Sequence, residues 1–144
     1  MPFRFCSVAS LTFCLISGLV GCSQQIAPPF TAPVSGTVTI NGQPAAGIRV
    51  TLEPQFSMGQ TQWGVRGQTD VQGKFTISTG APGNGAPLGE YIVTFTKPRV
   101  DSDPQYGVEI EVDDFAGKYS DPETSKWTVT IVNGDNELDP FDLN

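Results

Sequence analysis

The sequence predicts an all-β fold, a sandwich in which two sheets bury their apolar faces against each other. Three observations predict it. Helical periodicity is missing after the first twenty-odd residues, and 16 glycines and 12 prolines are too many for long helices. Apolar and polar residues alternate with a period of two along most of the remaining chain. The alternating runs are separated by turn-forming sequences, Asn41-Gly42 and Asp70-Val71-Gln72-Gly73 among them.

The first segment does not belong to that fold. Arg4 precedes an apolar run from Phe5 to Val20, which is the pattern of a secretory signal. The run is shorter than the ~20 apolar residues of a membrane-spanning helix. It ends in Leu19-Val20-Gly21-Cys22, which resembles the bacterial lipobox. That resemblance implies cleavage between Gly21 and Cys22 and a diacylglycerol thioether on Cys22. A thiolate is the nucleophile such a step needs, and added acyl chains hold a protein at a membrane. Residues 1–21 are therefore expected to be a lipoprotein signal peptide. Cys6 and Cys14 leave with it, so the mature chain carries no disulfide and depends on its core. Ser23 is not an aspartate, which by resemblance to diderm lipoproteins favours the outer membrane over the inner one.

Removal of the leader leaves 123 of the 144 residues, enough for one domain. The net charge is −7, and −8 without Arg4. An acidic chain argues against nucleic acid as a partner. Residues 22–33 comprise the lipidated position and an uncharged stretch with Pro28, Pro29 and Pro33, expected to be a flexible tether.

The domain is expected over 34–144. Val34, Gly36, Val38 and Ile40 share one face of the first strand, and Asn41-Gly42 turns it. Ile48, Val50 and Leu52 face inward opposite Arg49, Thr51 and Glu53. Trp63 to Thr69 reads as a weaker strand, interrupted by Gly64 and Gly67. After the Asp70 turn, Phe75 and Ile77 point inward. A loop of small residues leads to Tyr91, Val93 and Phe95, with Thr94 and Thr96 opposite. Residues 99–117 are expected to be an insertion holding a short strand or turn, since Val108, Ile110 and Val112 alternate with Glu109 and Glu111. Trp127, Val129 and Ile131 form the next stripe. Residues 133–136 then turn the chain into a last strand, which Pro140 confines to an edge or a bulge.

Three of these stretches together resemble the carboxypeptidase regulatory-like domain, a transthyretin-like (prealbumin-like) β-sandwich. They are Gly47-Ile48-Arg49-Val50-Thr51-Leu52, then Thr69-Asp70-Val71-Gln72-Gly73-Lys74-Phe75, then Gly89-Glu90-Tyr91. The resemblance covers about residues 34–98. It implies a seven-stranded Greek-key sandwich without a catalytic centre of its own.

The chain has no histidine, which removes the usual general base at neutral pH and every Ser-His-Asp or Cys-His arrangement. Paired carboxylates could serve a glycosidase, with Glu109, Glu111, Asp113 and Asp114 the candidates; an acidic edge is more often simply solvated. Calcium suits an exported acidic chain, through Asp101, Asp103, Asp113, Asp114, Asp121 and Asp135, but no calcium-loop motif is present. Sugar binding would use exposed aromatics among Trp63, Tyr106, Tyr119 and Trp127; Trp127 reads as core, and Trp63 is the better ligand-binding candidate. No catalytic residue, cofactor or metal ligand is assigned.

The expected function is that of a membrane-anchored, extracytoplasmic lipoprotein. It would be a non-enzymatic structural, adhesion or protein-interaction module of the cell envelope. Its partners would be membrane lipid, through acylated Cys22, and an envelope protein or glycan. The alternative is a small-ligand module for carbohydrate or calcium.

Overall fold

The computed structural model describes residues 29–144. The signal peptide, the Gly21-Cys22 cleavage and lipidation positions and the first part of the spacer lie outside the described residues. Within them the chain is all-β and forms no helix.

The strands are β1 (Thr31–Ala32), β2 (Val34–Ile40), β3 (Gln43–Pro44), β4 (Arg49–Pro54), β5 (Val65–Gln68), β6 (Lys74–Thr76) and β7 (Ser78–Thr79). They continue as β8 (Ala86–Pro87), β9 (Gly89–Thr96), β10 (Pro98–Ser102), β11 (Glu109–Asp113), β12 (Thr128–Ile131), β13 (Asn136–Glu137) and β14 (Phe141–Leu143). One main sheet runs β12-β9-β4-β5-β7. The other is built around β2, with β13 and β14 pairing parallel to it and β3 and β6 antiparallel. Two small ribbons, β1-β8 and β10-β11, complete the set.

The alternation read from the sequence decides which side chains meet between the sheets. Val34 and Val38 from β2, Phe75 from β6 and Phe141 from β14 are buried in one cluster with Val50, Leu52, Tyr91, Val93 and Phe95 from β4 and β9. Phe141 touches Phe95 across the layers, ring centroids 5.2 Å apart. Gly36 belongs to the inward stripe because a Cβ there would come within 2.6 Å of the Phe75 ring.

The turns follow their chemistry. Asn41 and Gly42 both have positive φ (50° and 75°), the conformation a two-residue hairpin loop requires. The returning strand is only β3, after which the chain crosses to the other sheet. Asp70 Oδ1 accepts the backbone N–H groups of Gln72 (2.8 Å) and Lys74 (3.0 Å), closing the turn that ends at Gly73.

The last strand confirms the effect expected of Pro140. Val34 is opposite Asn136, yet Val38 is opposite Phe141, so one extra residue is accommodated between β13 and β14. The interruption falls at residues 138–140, where proline cannot donate to the ladder.

Four features differ from the sequence reading. Thr31 and Ala32 are not part of a free tether. They pair with Pro87 and Ala86, and Ala32 is buried. Two residues just ahead of Pro33 can add to an edge because so short a ribbon asks for few N–H donors. The weak strand begins at Val65 rather than at Trp63, which sits in the preceding loop. Thr94 shares the outward face of β9 but is buried. The segment after β11 lies alongside β9, with the Phe95 N–H donating to the Tyr119 carbonyl (2.9 Å) and Ser125 Oγ donating to the Val93 carbonyl (2.5 Å). Finally, the insertion at 99–117 is largely a regular hairpin, with five residue pairs from Pro98↔Asp113 to Ser102↔Glu109.

Candidate functional site

Two surfaces stand out, at opposite ends of β4. The first is the β10-β11 hairpin near Arg49. Its pairing places Val100 and Glu111 on one face, and Arg99, Asp101, Ile110 and Val112 on the other. A two-stranded ribbon has no second layer to cover it, so its apolar residues remain in water. Val100 is 69% exposed, Val108 54%, Ile110 37% and Tyr106, in the loop between the strands, 72%.

The carboxylates of this region have structural partners. Glu111 accepts two hydrogen bonds from the Arg49 guanidinium (2.6 and 3.0 Å), which holds the Glu111 carboxyl below its usual range and the Arg49 guanidinium above its own. Arg99 pairs with Asp101 and Asp114, each at 2.6 Å, and holds the Asp101 carboxyl low. Burial pushes the Asp113 carboxyl up, but the N–H groups of Lys97 (2.8 Å), Phe115 (3.1 Å) and Gly117 (3.1 Å) outweigh it, and the net shift is downward. These carboxylates thus fasten the hairpin and its following turn, with no cleft held between a matched pair. Asp103 and Asp121 likewise accept backbone N–H groups two residues on. Among the described residues no group of three acidic, histidine or cysteine side chains is placed to hold a metal ion.

The second surface holds Trp63. The loop after β4 folds back past its C-terminal end and borders an open cleft of about 370 Å³. Glu53, Phe56, Ser57, Met58, Gln62 and Trp63 line it. Phe56 meets Tyr91 edge-on, ring centroids 5.3 Å apart, and Met58 also packs against the core. The hydroxyl of Tyr91 donates to the Pro87 carbonyl at 2.8 Å, and burial pushes it up to about 12. Trp63 is half-buried, and its six-membered ring rests on Gly80, where a Cβ would come within 2.7 Å of Cζ3.

The other aromatic candidates are placed differently. Trp127 packs edge-on against Phe95 (centroids 5.0 Å) and beside Tyr119 (6.0 Å), in keeping with a core role. Tyr119 donates its hydroxyl to the Asn144 backbone oxygen at 2.6 Å.

Sequence reasoning missed the partner strand Pro98–Ser102 and the cleft residues Glu53, Phe56 and Met58. The first had a legible signal: Asp103, Pro104 and Gly107 between the two strands are turn formers. The cleft had none, because a loop's return path leaves no periodic trace.

No family model matches the chain, and no curated protein matches it. Solved structures resemble it at low identity. A 9R-lipoxygenase from Cyanothece PCC8801 aligns at 14% identity with a TM-score of 0.46, over 79% of this chain but 16% of that one. A "putative carbohydrate binding protein" from Pseudomonas aeruginosa aligns at 13% identity and TM-score 0.45, over 81% and 91%. A DUF3823 family protein from Parabacteroides merdae aligns at 17% identity and TM-score 0.38, over 77% and 45%. The chain therefore spans a small part of the lipoxygenase and under half of the DUF3823 protein.

Proposed function

We propose that this chain is an exported, lipid-anchored, non-enzymatic module of the cell envelope that docks a protein partner through the β10-β11 hairpin. The observation that carries this reading is the run of exposed apolar groups Tyr106, Val108 and Ile110 along one arm of the ribbon, with Val100 exposed on its other face. Exposed apolar groups collected in one place mark interaction surfaces more often than scattered ones do. The Arg49–Glu111 pair gives the ribbon a fixed attachment to the main sheet, so its shape is set before a partner arrives.

In this reading the body is a seven-stranded transthyretin-like sandwich. The seven ladders would be β2, β4, β5, β6 continued by β7, β9, β12 and β13 continued by β14. The anchor is Cys22, acylated after cleavage at Gly21, in the outer membrane. The acidic surface fits a contact with lipid made by the acyl chains alone.

Two measurements test the reading. Mass spectrometry of the mature N-terminal peptide should show Cys22 at the N-terminus with acyl mass; residues 1–21 still attached would refute the anchor. A photo-crosslinking residue at position 108, in intact cells, should give one discrete adduct that is absent from position 130 and lost on Ile110→Asp. Equal labelling from both positions, or none, would refute the docking surface.

A further inference from the structure

We infer that the cleft beside Trp63 is a saccharide site, taking one neutral pyranose unit of a glycan. The inference is independent of the hairpin and of the lipid anchor. It starts from what the cleft offers a ligand. A volume of about 370 Å³ falls in the range of roughly 300–1,000 Å³ typical of small-molecule sites. Phe56 and Met58 are committed to the core, which leaves them as a fixed floor. The groups facing a ligand are mostly polar: the Glu53 carboxylate, the Thr61 hydroxyl, the Gln62 amide and the Ser57 hydroxyl, which accepts the Gly59 N–H (3.3 Å) and keeps its own proton to donate.

Trp63 supplies the apolar wall. Its indole is wide, rigid and costs little entropy to hold, the properties of an aromatic anchor. Resting the ring on Gly80 fixes its position from one side. A pyranose ring presents C–H groups on one face and hydroxyls around its rim, which matches an aromatic wall with a polar border. The charge decides against other small ligands. No cation lines the cleft, and Glu53 takes part in none of the ion pairs among the described residues. An unneutralised carboxylate repels phosphates and uronates, whereas it accepts hydrogen bonds from neutral hydroxyls.

The chain has two tryptophans, so Trp127→Phe leaves Trp63 as the sole indole reporter. That variant should be titrated with neutral cello-, malto- and chito-oligosaccharides, and with oligogalacturonate as the anionic control. At least one neutral series should shift the Trp63 emission saturably, and oligogalacturonate should not. Calorimetry with the same sugar should show binding at least about tenfold weaker in Trp63→Ala and in Glu53→Ala, both checked for an unchanged β-sheet circular dichroism spectrum. If Trp63→Ala does not fold, Trp63→Phe and Glu53→Ala carry the comparison. Failure of every neutral series to saturate overturns the inference, as does affinity in folded Trp63 and Glu53 variants within about twofold of the parent chain. Neither result bears on the hairpin, since crosslinking from position 108 is read separately.

Discussion

Arg49 and Glu111 are 62 residues apart in sequence, yet the guanidinium of one meets the carboxylate of the other in two parallel hydrogen bonds of 2.6 and 3.0 Å. This is the side-chain link between the outer face of β4 and the hairpin that leaves the end of β9. Both partners are partly exposed, 34% and 57%, so the pair is expected to contribute little to global stability. Its effect should be local. In Glu111→Gln the urea midpoint should barely move, while hydrogen exchange at the amides of 98–113 should speed up markedly. Unchanged exchange would mean that the hairpin is held by other contacts.

The turn at Asp113 gives a pH dependence with a definite sign. Its carboxyl is held below the usual range in the folded chain by three backbone donors and regains its ordinary value on unfolding. The stabilisation is therefore complete above the unfolded-state value, near pH 4, and is lost as pH falls through the lower folded-state value. Asp113→Asn should cost about 1–2 kcal/mol at pH 7, because hydrogen bonds to a charged acceptor are weakened. Urea titrations of parent and variant should converge as the pH is lowered towards 3. A gap of constant size across that range would show that the charge is not what matters.

Gly67 in β5 lies close against the backbone of Thr76 in β6. A Cβ built there would collide with the Thr76 carbonyl oxygen, a backbone atom that cannot swing away. Gly67→Ala should cost about 1–3 kcal/mol through forced backbone displacement, seen as a lower thermal midpoint. Gly42→Ala, where nothing lies within 4 Å, is the control, since its penalty comes from positive φ alone.

Thr96 offers the opposite change. Its Oγ1 is buried without a hydrogen-bond partner, and such an oxygen carries an unrecovered desolvation cost of about 1–3 kcal/mol. Thr96→Val keeps the branched shape and removes the oxygen. The variant should gain stability in urea, and a loss would mean that the hydroxyl has a partner in solution.

The sandwich was legible because each central strand carries its burial pattern in its own residues. Val50 and Leu52, or Tyr91, Val93 and Phe95, need no distant information to declare their inward face. The turns at Asn41-Gly42 and Asp70 are local in the same way. What could not be read is pairing across long gaps. Nothing in Phe141 or Leu143 says that they run parallel to Val38 and Ile40, about a hundred residues earlier. The same holds for the candidate sites. Trp63 could be singled out by its residue type, but its support by Gly80 depends on two loops meeting in space. Glu109 and Glu111 looked like a free acidic edge, since their sequence does not reveal that Arg49 lies opposite Glu111.

The parallel run of β13 and β14 along β2 has a mechanical consequence. A tug at Val34 directed away from the body, opposed by a tug at Leu143 in the other direction, would slide the two strands lengthwise. Rungs such as Leu138 N–H to the Ser35 carbonyl (2.8 Å) and Asn41 N–H to the Leu143 carbonyl (3.1 Å) would then bear load together, instead of opening one by one like a zipper. With one extremity fixed and the other strained by flow or by a tethered neighbour, the seam would act as a clamp resisting shear.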